Sequence, residues 1–114
     1  MKFQTIKKRK DFVLSNKFGK KFFNKNFILQ IYNQVELDQR SLKFGFTATK
    51  RIGNAVKRNR AKRRMRALIS LFLKENRLLF DETSSYIIVA KKSLIKASFL
   101  DLRNEMKELS LIHI

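Results

Sequence analysis

Residues 54 to 72, NAVKRNRAKRRMRALISLF, constrain the fold more than any other stretch. Ala61, Met65, Leu68, Ile69 and Phe72 recur at i, i+4, i+7, i+8 and i+11, which is one stripe of an α-helix. Asn54 follows Gly53 and is a good N-cap, since its side-chain oxygen can accept a free N–H of the first turn. A helix from Asn54 to about Phe72 would be roughly 28 Å long. Its large apolar residues sit in the second half and would dock it onto a sheet. The first half has only Ala55, Val56, Ala61 and Met65 on its dry side.

The same helix carries the chain's charge. From Lys50 to Arg66 there are nine basic residues and no acidic one, which is half of the net charge of +18. Lys57, Arg58 and Arg60 fall in the first turns, where the helix dipole is already positive and acids are preferred. Arg58, Lys62 and Arg66 stack at i, i+4 and i+8, and each like-charged pair costs about 0.2–0.5 kcal/mol. A local rule broken without compensation inside the chain marks a functional surface rather than a solvated face. Phosphate oxygens supply the missing partner, because helix N-termini and Arg forks both bind them. Six Arg against three Lys favour bidentate contacts over charge screening. A membrane-surface helix would need a bulky apolar face along the basic half, and this one lacks it. Charges spread around the helix suit backbone contacts better than base reading from one edge.

The remaining sequence sets the frame. With 44% hydrophobic residues and eleven Phe the chain is expected to fold, and 114 residues suit a single domain spanning 1–114. It has no Cys, so thiolate chemistry and disulfides are excluded. Its only His is His113, next to the C-terminus, and no carboxylate cluster stands out for catalysis or metal binding. No apolar run approaches the roughly 18 residues of a membrane span. The N-terminal MKFQTIKKRKDFVLSNKF has no continuous apolar stretch of the secretory kind, and a cytoplasmic location is expected.

Residues 7–18 read as a short helix with Phe12 and Leu14 to Phe18 on its apolar side and Gly19 as its stop. NFILQIYN (26–33) reads as a strand, QVELDQRS (34–41) as a loop, and LKFGFTAT (42–49) as a strand. In the second strand Leu42, Phe44, Phe46 and Ala48 alternate with Lys43, Gly45, Thr47 and Thr49. The two strands are close enough in sequence to pair antiparallel. SYIIVA (85–90), nearly all apolar, is expected at the centre of the sheet. Phe99, Leu102, Met106 and Leu109 define a last helix. The class is α+β with a small sheet. Exposed aromatics beside a basic groove would point to single-stranded nucleic acid, and Phe12 and Tyr32 are the candidates.

FGFTATKRIGNAVKRNRAKRRMR resembles the signature region of the bacterial ribonuclease P protein subunit. Arg58, Asn59 and Arg60 match its "RNR" core, and Lys62, Arg63 and Arg66 follow at the family spacing. Asp11-Phe12, the strand starting at Phe27 and YIIVAKK (86–92) extend the likeness over nearly the whole chain. The resemblance implies a mixed four-stranded sheet with three helices in the order α-β-β-β-α-β-α. It adds a short strand near Lys21–Asn24 and a left-handed βαβ crossover through the basic helix, against the usual right-handed rule.

The resemblance also implies a division of labour. A catalytic RNA performs the hydrolysis with Mg²⁺ bound mainly by that RNA, and the protein has no catalytic residues and no metal of its own. The protein would bind this RNA through Lys50, Arg51, Asn54, Lys57, Arg58, Asn59, Arg60, Lys62, Arg63 and Arg66. A cleft lined by Phe12, Asn16, Ile28, Gln30, Thr47 and Thr49 would hold the single-stranded 5′ leader of precursor tRNA. Asn16 and Gln30 stand where relatives often carry aromatic rings, and Phe18 or Tyr32 are candidates to replace them. Ser93 stands where many relatives have Pro. No membrane and no obligate protein partner are expected. The alternative is a ribosomal-type structural RNA-binding protein, with a duplex-DNA regulator third.

Overall fold

The computed structural model describes residues 3–33, 43–76 and 84–113. In chain order the elements are β1 (Gln4–Thr5), α1 (Arg9–Phe18), β2 (Lys20–Phe23), β3 (Phe27–Asn33), β4 (Lys43–Thr47), α2 (Ala55–Asn76), β5 (Ser84–Ala90) and α3 (Phe99–His113). Short 3₁₀ turns occupy Lys50–Ile52 and Lys92–Ile95. From α1 onward this is the expected α-β-β-β-α-β-α order. The two-residue β1, unexpected from sequence, adds a fifth strand at the sheet edge. It is held there by its flanks. The ring of Phe3 packs edge-on against Phe44 and Phe46 at 5.2 and 6.0 Å, and the Ile6 N–H donates to the Phe44 carbonyl. The expected 34–41 loop and Leu42 lie outside the described residues.

α2 starts where its cap dictates, with the Lys57 N–H donating to Asn54 Oδ1 at 3.0 Å. Gly53, immediately before, has φ +136°, a conformation that side chains other than glycine rarely adopt. Ala61, Met65, Leu68, Ile69 and Phe72 are all fully buried, and the helix runs four residues beyond the expected end.

The sheet order is β1-β4-β5-β3-β2. This corrects the expected antiparallel pairing of β3 with β4. β5 lies between them, antiparallel to β3 and parallel to β4. An almost wholly apolar strand is most stable with both edges paired and both faces covered, and the sheet centre gives β5 both. The parallel β4–β5 pair requires a crossover, which the segment containing α2 supplies.

The strands' period of two divides the sheet into two faces. One face carries Phe27 and Leu29, Phe44 and Phe46, and Tyr86 and Ile88, packed in a single cluster with the α2 stripe and with Leu102, Met106 and Leu109 of α3. Phe44 and Tyr86 stack with centroids 5.3 Å apart. The opposite face is crossed by α1. Here the expected apolar side of α1 needs correction, because Phe18 is 62% exposed and Ser15 is the fully buried residue. α1 docks through a polar point. Ser15 Oγ donates to Gln30 Oε1 at 3.4 Å, and the Gly19 N–H closes the helix on the Ser15 carbonyl.

The β2–β3 turn is clamped to distant chain. Asn24 Oδ1 accepts the N–H groups of Asn26 and Phe27, and Asn26 Nδ2 donates to both Glu105 oxygens at 2.8 and 2.9 Å. Ser93 Oγ lies 3.0 Å from the Lys25 carbonyl and 2.7 Å from Asn26 Oδ1 and donates its one proton between them, a contact that a Pro could not make. Asn26→Ala is therefore expected to lower stability by about 2 kcal/mol, since it strands a carboxylate that accepted two bonds. Denaturant titration of wild type and variant checks this.

Candidate nucleic-acid interface

On the α1 face, side chains of neighbouring strands line up in two rows across the sheet. Gly45, Ile87, Gln30 and Lys21 form one, and Thr47, Val89, Ile28 and Phe23 the other, because each residue is directly paired with the next. α1 covers the first row. The Phe12 ring lies over Gly45 so closely that a Cβ there would stand 2.9 Å from Phe12 Cε1 and 3.2 Å from Ile87 Cγ1. Gly45 is thus what lets the Phe12 ring approach the sheet this closely. The second row is left open.

Between α1 and the open row runs a groove of about 390 Å³, lined by Arg9, Phe12, Val13, Asn16, Gln30, Thr47, Thr49, Ile87 and Val89. Five of the six residues expected there share it: Phe12, Asn16, Gln30, Thr47 and Thr49. Ile28 does not line it. It belongs to an adjoining depression of about 860 Å³ formed with Thr49, Lys50, Arg51, Ile52, Val89, Ala90, Lys91 and Lys92. Thr49 and Val89 are common to both, so the two hollows adjoin. Gln30 forms floor rather than rim, being 6% exposed and bonded to Ser15. Neither Phe18 nor Tyr32 lines either hollow.

Sequence reasoning missed Arg9, Val13, Ile87 and Val89. Arg9 lies three residues before Phe12 and so shares its helix face. Ile87 and Val89 alternate with the core residues Tyr86 and Ile88, a signal that acquires meaning once β5 is known to be central.

The second hollow leads into the cationic segment. Lys50 and Arg51 stand exposed on the 3₁₀ turn that joins the groove to the start of α2. Lys57, Asn59, Arg60, Lys62, Arg63 and Arg66 are exposed along α2. The stem of Lys57 lies over Gly53, whose added Cβ would meet Lys57 Cδ at 2.7 Å. Arg58 is half-buried, its Nη1 donating to the Gly53 carbonyl at 3.3 Å. Asn54 uses its side-chain oxygen as the helix cap. The Arg66 guanidinium lies 5.7 Å from the centroid of the Phe46 ring, a cation–π distance.

Arg64 behaves differently from its neighbours. It turns inward, donating to the carbonyls of Leu94 (3.1 Å), Ile95 and Ala97 (2.5 Å). Of the nine cations counted from sequence, this one is held by three main-chain carbonyls, at and just beyond the C-terminal end of the second 3₁₀ turn.

Among the described residues no three His, Cys, Asp or Glu side chains converge to hold a metal ion, and Glu105 is engaged by Asn26. No helix among them is long and apolar enough to cross a membrane. What the residues assemble is a shallow, mainly apolar groove that opens onto a cationic helix. This geometry suits an extended polyanion with flat bases.

Known proteins share the pattern. The family model described as Ribonuclease P matches residues 1–112. The ribonuclease P protein component of Finegoldia magna is 32% identical over 109 residues, covering 96% of this chain and 85% of the relative. That of Syntrophus aciditrophicus is 35% identical over 105 residues, covering 92% and 82%. The solved Staphylococcus aureus RNase P protein superposes with a TM-score of 0.74 at 27% identity, covering 97% of this chain and 95% of that one. These matches decide against the ribosomal-type and DNA-regulator readings. The chain belongs to the ribonuclease P protein family and is a protein subunit of that endoribonuclease complex.

Proposed function

We propose that the chain acts in the cytoplasm as one RNA-binding domain spanning residues 1–114 that presents two surfaces to two RNAs. The exposed cations of residues 50–66 bind phosphates of the catalytic RNA, and the groove under α1 binds the single-stranded 5′ leader of precursor tRNA. The catalytic RNA carries the hydrolysis and the Mg²⁺ it uses. The protein raises affinity for leader-bearing substrate and lowers the Mg²⁺ requirement, because its cations replace part of the counterion screening.

The single observation that supports this reading best is adjacency. Thr49 lines both hollows, and Lys50 and Arg51 follow it directly, so one strand of nucleic acid can pass from stacking contacts to cationic ones without leaving the surface. With Asn16 and Gln30 in place of rings, Phe12 is the groove's one aromatic. Stacking on it is worth about 1–3 kcal/mol per base.

Phe12→Ala in the assembled complex is expected to weaken binding of leader-bearing precursor by about fivefold or more, and to leave mature tRNA binding unchanged. Equilibrium binding of both tRNAs to wild-type and variant complexes tests this. Equal losses on the two substrates would sink the leader assignment. Gly45→Ala is expected to reproduce the Phe12→Ala phenotype, because the new methyl displaces the ring.

A further inference from the structure

The open row of the sheet does not stop at the groove. Thr47 pairs with Val89, Val89 with Ile28, and Ile28 with Phe23, so four side chains run from β4 to the β2 edge on one face. Three inter-strand spacings make this row about 14 Å long. Phe22 points the other way and packs on the core, which fixes Phe23 on the groove side. The Phe23 ring is 63% exposed at the end of the row.

A single exposed Phe on an edge strand needs no explanation of its own. Here three further observations bear on it. Lys91, which lines the second hollow, holds its Nζ 5.9 Å from the Phe23 ring centroid and donates from it to the Asn24 carbonyl at 2.6 Å. The turn following Phe23 is pinned by Asn24 Oδ1, Ser93 and Glu105, so the ring is carried on fixed backbone. Lys21 and Lys25 are exposed on either side of it, and Lys92 lines the neighbouring hollow. The result is an exposed aromatic ring beside a hydrogen-bonded turn, with lysines near it, at the end of a largely apolar row that begins in the groove.

We infer that Phe23 is a base-stacking residue at the far end of the leader path, making the β2 edge an additional subsite for single-stranded RNA; this rests on the leader reading of the groove. The occupant is RNA because a largely apolar row with lysines gathered at its Phe23 end can take both the bases and the phosphates of one strand. The subsite supplies, at the distal end, stacking that Asn16 and Gln30 do not supply within the groove. It therefore acts only on leaders long enough to cross the sheet.

The test is a leader-length series measured on the assembled complex of full-length protein and catalytic RNA. Precursor tRNAs with leaders lengthened one nucleotide at a time are bound to wild type, Phe23→Ala, Phe23→Tyr and Phe12→Ala. Wild-type affinity is expected to climb with length to a plateau. With Phe23→Ala the climb stops earlier, so long leaders bind about fivefold weaker or worse while the shortest bind as wild type. Phe23→Tyr keeps the full climb. Phe23→Ala tracking wild type at every length overturns the subsite, and so does a uniform loss that includes mature tRNA. If Phe12→Ala removes leader dependence and Phe23→Ala does not, the extension alone fails. If neither variant changes it, the groove reading falls as well.

Discussion

Changing Arg58 and Arg60 together to Ala is expected to weaken binding of the catalytic RNA by roughly 25- to 60-fold at about 0.1 M salt. The size follows from counterion release. Each phosphate contact contributes a slope of about 0.7–0.9 in log K against log salt, so two lost contacts remove about 1.4–1.8. The same variant should therefore flatten the salt dependence by that amount, and the two binding curves should converge at high salt. Arg58 is the better fixed of the pair, because its bond to the Gly53 carbonyl holds the guanidinium at the start of α2. The helix begins with a cap from Asn54 and no acidic residue in its first turn, so its dipole and both guanidinium groups favour the same anion. Titration of the RNA at a series of salt concentrations measures affinity and slope together. An unchanged slope would mean that these arginines touch no phosphate.

Arg64→Ala should do the opposite. Its fork satisfies three carbonyls of the segment that leads from β5 into α3, and hydrogen bonds from a charged donor contribute about 1.5–3 kcal/mol each, less than additively. A stability loss of about 2–4 kcal/mol is expected, which lowers the melting temperature by roughly 10–20 °C in a chain of this size. Lys should not rescue it, since a single ammonium cannot reproduce the planar fork. Arg63→Ala, one residue earlier and exposed, should leave the melting temperature unchanged and weaken RNA binding. Thermal denaturation and RNA binding of the two variants, side by side, separate the structural cation from the binding ones. A wild-type melting temperature for Arg64→Ala would show that the three bonds do not support the fold.

The pairing of Arg63 with Arg64 also shows where sequence reading ends. Both lie in the same basic run with the same local context, and what distinguishes them is a set of carbonyls 30 to 33 residues away. By contrast α2 was legible from its start to Phe72, four residues short of its end, because its stripe from Ala61 to Phe72 and its cap at Asn54 are both local signals. β3, β4 and β5 were legible for the same reason, through the β-forming run at 26–33, the alternation around Phe44 and Phe46 and the apolar run at 85–90, whereas β2 came only from the resemblance and β1 was not expected. The pairing of β3 with β4 was not legible, because strand adjacency is settled by which strand most needs the centre, and β5 arrives late in the chain.

The groove was legible to about the depth of its motif. Phe12, Asn16, Gln30, Thr47 and Thr49 were expected together and line one hollow, while Ile28 lies one hollow further along. That Gln30 would be occupied by Ser15 depended on the angle at which α1 crosses the sheet. The row ending at Phe23 needs three ladder registers at once, and no single stretch of sequence contains them.

Cleavage of a precursor tRNA by the catalytic RNA at low Mg²⁺ tests the central claim most directly. It is run without protein, with wild type, and with the Arg58/Arg60 double variant, each protein first shown to be folded. The account predicts cleavage at the mature 5′ end that requires the wild-type protein and is lost with the double variant. Equal cleavage with and without the wild-type protein, alongside tight binding to unrelated structured RNA, would contradict it.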